Sequence, residues 1–141
     1  EKMLELHGSM KAFACLGCHD RYPLETVEGL MQLAPIPACP ACGGILKPDV
    51  VFFGEALPQS ALTGAVNHSR SSDLFMVIGS TLTVYPAAYM PEYALASGAN
   101  LVIINMAPTA LDSRAEVVIH TKAGEVMTDI LREIDARTSC G

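Results

Sequence analysis

The spacing of apolar positions changes near residue 47. Before it, between residues 12 and 46, apolar residues are sparse, and only LETVEGLMQLA (24–34) is periodic. There Leu24, Val27, Leu30 and Met31 recur at helical spacing, and Pro35 and Pro37 stop the helix. After residue 47, short apolar runs alternate with amphipathic stretches. VVFF (50–53), DLFMVIG (73–79), NLVIINM (100–106) and AEVVIHT (115–121) read as strands. Between them, Pro58 to Ser71 and PAAYMPEYALASG (86–98) read as helices, the first with proline at its start and the second with Gly98 as its stop. AGEVMTDILREID (123–135) closes the pattern as an amphipathic helix with Val126, Ile130, Leu131 and Ile134 on one face. Strands alternating with helices predict an α/β fold with a parallel sheet and right-handed crossovers. Residues 1–11 read as a short lead-in.

Composition sharpens this. Half of the 141 residues are hydrophobic and 17% are charged, with a mean hydropathy of +0.33. That suits parallel strands buried on both faces, or a piece of something larger with one apolar face uncovered. The apolar runs stay well short of the roughly 20 residues of a membrane span, and no secretory pattern is present. A net charge of −6 argues against non-specific nucleic-acid binding, which needs a basic surface.

Four of the five cysteines form two C-x-x-C pairs, Cys15/Cys18 and Cys39/Cys42, separated by residues 19–38. Each pair lets two thiolates reach one metal from a tight turn, and two such turns complete a tetrahedron. Four thiolates leave no open position, so the expected role is structural zinc. A redox pair needs only one such motif, and disulfides need an oxidising compartment. The expected setting is therefore intracellular, cytoplasmic above all. His19 beside Cys18 reads as a polar surface residue, and Cys140 as an exposed free thiol.

Several motifs stand in order: ELHGS (5–9), the two cysteine pairs, LKPDVVFFGE (46–55), GSTLTVYPAA (79–88), IIN (103–105) and AGEVM (123–127). Singly these are common; a histidine before a glycine is most often a loop residue, and Gly-Ser-Thr an ordinary strand-end turn. As an ordered set over nearly the whole chain they resemble the sirtuin family, from its catalytic histidine onward. The resemblance implies a partial Rossmann-like parallel sheet, formed by 1–11 and 47–141, plus a zinc-binding module at 12–46. It implies an NAD-dependent protein-lysine deacylase, deacetylation first, that moves the acyl group to ADP-ribose and releases nicotinamide.

By the same resemblance His7 is the base that takes a proton from a ribose hydroxyl, a task suited to imidazole. Val51 and Phe53 line the acyl-lysine tunnel, where a neutral acyl-lysine is cheaper to bury than an ammonium. The edge Phe53, Gly54 and Glu55 receives the substrate peptide as an added strand. Gly79, Ser80 and Thr81 meet phosphate or ribose, although the commoner family order is Gly-Thr-Ser. Val84 lies beside the nicotinamide ribose, Asn105 holds the adenosine ribose, and Lys122 and Ala123 touch the adenine.

The family's glycine-rich N-terminal segment, with its pyrophosphate site, does not occur in these residues. The expectation is a chain inactive alone that self-associates or pairs with the missing half. Partners are an acyl-lysine protein or peptide, with no nucleic acid and no membrane. Two other functions remain open at this point: a non-catalytic zinc-bearing peptide-binding module, and an NAD-dependent protein ADP-ribosyltransferase.

Overall fold

A computed structural model describes residues 3–138. They divide into two compact units, one running to Leu62 and the other starting at Thr63.

The first unit is built on an antiparallel sheet in the order β2-β1-β3. Its strands are β1 (Gly8–Cys15), β2 (Arg21–Pro23) and β3 (Leu46–Val50). Along β1, Phe13 and Cys15 alternate with exposed or half-buried neighbours, so one face is buried. Helix α1 (Leu24–Met31) lays Val27, fully buried, against Phe13 and Leu46. It ends at Met31, short of the expected Ala34, and Met31 is half exposed. Buried Cys15 and Cys39 belong to the same small core.

Of the run Val50–Phe53 only Val50 lies in a strand, contrary to the sequence reading. The strand is Leu46–Val50, mostly before that run, and it pairs antiparallel with β1 instead of joining the parallel sheet. The ladder stops because β1 begins at Gly8, opposite Val50. Beyond it the chain turns through Gly54 (φ 88°) and leaves Phe53 97% exposed. The register slips between Ser9 and Phe13, opposite Pro48 and Asp49. A proline gives the ladder no N–H, so it is tolerated at such an irregularity.

Helix α2 (Gln59–Arg70) leads into the second unit. Its parallel sheet has the order β4-β5-β6, from β4 (Leu74–Ile78), β5 (Asn100–Ile104) and β6 (Val117–Ile119). The crossover from β4 to β5 carries a 3-10 turn (Ala87–Tyr89) running into α3 (Met90–Ala96). Gly98, at φ 92°, ends it, a backbone angle that glycine adopts without strain. Val77, Leu101, Ile103 and Leu111 form the core, with Phe75, Leu82 and Leu95 packed against it.

The opposite face is less covered. Leu74, Met76 and Ile78 alternate with the core residues of β4 and are partly exposed. Among the described residues β4 has β5 as its one strand partner, so its other edge is open. Helix α4 (Ala123–Thr138) buries no residue completely. Leu131 and Ile134, expected on its packed face, are exposed, and Val126, Ile130 and Ile134 line a groove with Ile119. No helix among the described residues is long and apolar enough to cross a membrane.

Candidate functional site

The two cysteine pairs meet in the first unit. Cys15 Sγ lies 3.5 Å from Cys42 Sγ and Cys18 Sγ lies 3.6 Å from Cys39 Sγ. All four sulfurs fall within 4.8 Å of one another. A tetrahedral zinc with bonds of about 2.3 Å sets its sulfurs about 3.8 Å apart, so the cluster fits the ion.

Local backbone makes each knuckle. His19 N–H donates to the Cys15 carbonyl (3.0 Å), and Gly43 N–H to the Cys39 carbonyl (2.8 Å). His19 closes the first turn at φ 64°, an angle uncommon outside glycine; it is exposed and is no member of the sulfur cluster. Gly44 is needed for space, since a Cβ there would stand 2.9 Å from Cys15 Sγ.

Without a metal the thiols divide their protons unevenly. The Tyr22 hydroxyl, 3.2 Å from Cys39 Sγ, is the main cause that brings the Cys39 thiol down to about 6. At Cys18 the backbone at Asp20 pulls the other way, but desolvation and the neighbouring thiols push it up to about 12. Thiolates packed this closely repel one another, and a divalent cation removes the conflict by holding all four deprotonated.

His7 lies in the turn before β1, exposed, and its imidazole has no hydrogen-bond or ion-pair partner among the described residues. Its carbonyl accepts the Val51 N–H at 3.0 Å. The structure thus brings His7 and Val51 side by side. Gly8 follows at φ 73°, and a Cβ there would overlap the Asp49 carbonyl. A cleft of about 460 Å³ opens here, with Gly8, Val50, Val51 and Glu55 in its wall.

Phe53 and Gly54 form an exposed turn, fastened by Glu55. The Glu55 carboxylate accepts from Lys47 Nζ at 2.6 and 2.7 Å and from the Phe52 N–H at 2.9 Å. The Lys47 bond first, then the Phe52 bond, holds this carboxyl below its usual value. Lys47 also sits 4.6 Å from the centre of the Phe52 ring. The Glu55 side chain shapes the loop and is committed within it.

The remaining site residues belong to the second unit, at the carboxyl ends of its parallel strands, where ligands of open α/β sheets bind. Gly79 follows β4 at φ 64°, and its N–H donates to the Ile104 carbonyl at 2.9 Å. Ser80 Oγ accepts the Leu82 N–H (3.3 Å), and the Thr81 and Thr83 hydroxyls are 3.0 Å apart. Val84 is about half exposed.

Asn105 follows β5 and is 8% exposed. Its Nδ2 donates to the Ala107 carbonyl at 2.7 Å. Lys122 is exposed, 3.7 Å from Glu125, and its carbonyl accepts the Glu125 and Val126 N–H groups at the start of α4, whose first residue is Ala123. His120 was not singled out in the sequence, yet it follows β6 as Asn105 follows β5. The signal lay in strand register, which apolar spacing alone does not give. Cys140 lies outside the described residues.

Comparison with known proteins places this arrangement. The profile of the family described as Sir2 family matches residues 1–86. The NAD-dependent protein deacylase 2 of Archaeoglobus fulgidus is 44% identical over 134 residues, 94% of this chain and 53% of that protein. The NAD-dependent protein deacetylase of Thermodesulfovibrio yellowstonii is 40% identical, over 93% of this chain and 52% of that protein. Among solved structures, Sir2 with a p53 peptide and NAD+ superposes with a TM-score of 0.91 at 35% identity, covering 96% of this chain and 57% of that one. Sir2Tm bound to a propionylated peptide gives 0.90 at 36% identity, covering 94% and 56%. The chain spans about half the length of the curated relatives it matches.

Proposed function

Because the chain belongs to the Sir2 family, we propose that it is part of an NAD-dependent protein-lysine deacylase, with deacetylation as its first activity. The observation that carries this reading is likeness along nearly the whole chain to a Sir2 structure holding a peptide and NAD+. NAD, when bound, supplies the ribose that accepts the acyl group as nicotinamide leaves.

The chain's own residues have these roles. His7, whose ring nitrogens have no partner among the described residues, takes the ribose hydroxyl proton. Val51, held to the His7 carbonyl, and Phe53 give apolar walls to the acyl chain. Phe53, Gly54 and Glu55 set the edge along which the peptide lies. Gly79, Ser80, Thr81, Val84 and Asn105 hold the phosphate and ribose parts of NAD, and Lys122 and Ala123 border the adenine. Zinc on Cys15, Cys18, Cys39 and Cys42 keeps the first unit folded and takes no part in acyl transfer.

The two C-x-x-C pairs, gathered in a cluster that suits a metal and not paired as disulfides would need, support an intracellular, cytoplasmic setting. The open edge of β4 and the exposed Leu74, Met76 and Ile78 support a further partner, a segment like that which the relatives carry outside the matched half. Self-association through the same edge is the alternative.

The test is product analysis by mass spectrometry with an acetyl-lysine peptide and NAD, for the chain alone and with the unmatched half of the Archaeoglobus relative supplied. The expected products, once that half is present, are acetyl-ADP-ribose and unmodified lysine. ADP-ribose left on protein instead means transfer of ADP-ribose. No product from folded, zinc-loaded protein in either arm refutes the enzyme reading and leaves a peptide-binding module.

A further inference from the structure

Register aligns three residues at the carboxyl end of the parallel sheet. Ile78 pairs with Ile104, and Ile104 with Ile119. Gly79, Asn105 and His120 are therefore the first residues past the last paired row. Two of them already have parts in the proposed nucleotide site. The third is tied to the second, because His120 Nδ1 lies 2.9 Å from the Asn105 carbonyl oxygen.

The other ring nitrogen is also engaged. His120 Nε2 lies 3.2 Å from Asp112 Oδ2. Asp112 sits in the 3-10 turn Asp112–Arg114, and its Oδ1 accepts the Thr109 hydroxyl at 2.6 Å and the Thr109 N–H at 3.1 Å. A carbonyl and a carboxylate only accept, so both contacts are met when each ring nitrogen donates.

Asn105 is thus held on three sides. Its N–H donates to the Ile119 carbonyl at 3.1 Å, its carbonyl accepts from His120, and its Nδ2 is spent on Ala107. The side-chain oxygen is the polar atom left without a partner among the described residues. It can only accept, which matches the donor hydroxyls of a ribose.

We propose that His120, backed by Asp112, is a positioning residue for a ribonucleotide at this end of the sheet, acting through Asn105 and not by touching the ligand. This rests on the nucleotide reading of Asn105 given above. Losing the His120 contact frees the main chain of Asn105, and the side-chain oxygen no longer stands ready for the ribose.

The full chain tests this with two readouts, hydrogen exchange at the Asn105 amide and calorimetric binding of ADP-ribose. His120→Ala is expected to lower Asn105 protection and weaken ADP-ribose binding by about tenfold each, the scale of one hydrogen bond. Protection at Ile103 should stay unchanged, showing an intact fold. His120→Asn keeps a donor near the Nδ1 position and should restore most of the loss, whereas His120→Gln, with its donor near Nε2, should not. In an Asn105→Ala background the same His120→Ala change should alter affinity less than about twofold, since coupled residues are not additive.

An equal loss in both backgrounds overturns the proposal, because His120 then acts without Asn105. So does unchanged protection and affinity in His120→Ala, with ADP-ribose still binding the parent chain; there the nucleotide reading survives and the positioning role does not. If the parent chain takes no ADP-ribose, alone or with the relative's unmatched half, the nucleotide reading fails and the role of His120 with it.

Discussion

Removing zinc should melt the first unit and leave the second standing. The apolar side chains buried in the first core are Phe13, Val27 and Leu46; the other members, Cys15 and Cys39, are ligands. At about 1.5–3 kcal/mol for each buried side chain, those three contribute roughly 5–9 kcal/mol. A structural zinc contributes about 10–16 kcal/mol in small metal-held modules. The metal term is the larger by about a factor of two, so the core cannot replace it.

The perturbation is a strong chelator, with Cys18→Ser as its genetic counterpart. Cys18 is exposed, so that substitution removes a ligand without opening a buried cavity. Metal analysis first establishes one zinc per chain. Hydrogen exchange read by mass spectrometry then follows both units at once. Amides of Gly8–Cys15 and Leu46–Val50 should lose protection together, while Asn100–Ile104 keeps its own. Protected β1 and β3 amides in metal-free protein would mean the opposite, that burial suffices without zinc.

Three further outcomes follow from single contacts. Ile103→Ala, at a position with no exposed surface, should cost about 2–5 kcal/mol in the second unit, read by denaturant-dependent exchange of its sheet; a cost near zero would place Ile103 outside the core. Gly8→Ala should cost about 1–3 kcal/mol, because φ 73° and the Asp49 carbonyl leave no room for a methyl group; unchanged exchange at the β1–β3 ladder would contradict this. Glu55 has a folded-state pKa below its unfolded one, through Lys47 first and Phe52 next. Its hold on the loop is therefore complete above the unfolded value and disappears as pH falls through the lower folded one. Lys47→Met should move the Glu55 carboxyl titration, followed by NMR, to higher pH; an unmoved midpoint would rule out Lys47 as the cause.

Parallel β4 and β5 were legible in sequence because each is a continuous apolar run, and Gly98 marks where the helix between them stops. The metal cluster was legible because two C-x-x-C turns are local geometry. The antiparallel sheet was not. β1 begins in a stretch read as a lead-in, its alternation is broken by the irregularity after Ser9, and β3 carries Pro48, which reads as a breaker. VVFF misled for a related reason: an apolar run signals a strand when its side chains are buried, and Phe52 and Phe53 are not. His120 was hidden because its partners, Asn105 and Asp112, lie on other segments and only the register joins them.

Whether His7 is the base of an NAD-dependent deacylase is read from the formation of acetyl-ADP-ribose from NAD and an acetyl-lysine peptide, using zinc-loaded chain supplied with the relative's unmatched half, beside the same preparation with His7→Ala. Peptide-dependent release of acetyl-ADP-ribose and nicotinamide is expected, with acetyl transfer lost in His7→Ala while zinc content and exchange protection stay unchanged. Equal acetyl transfer in both preparations would contradict that role for His7.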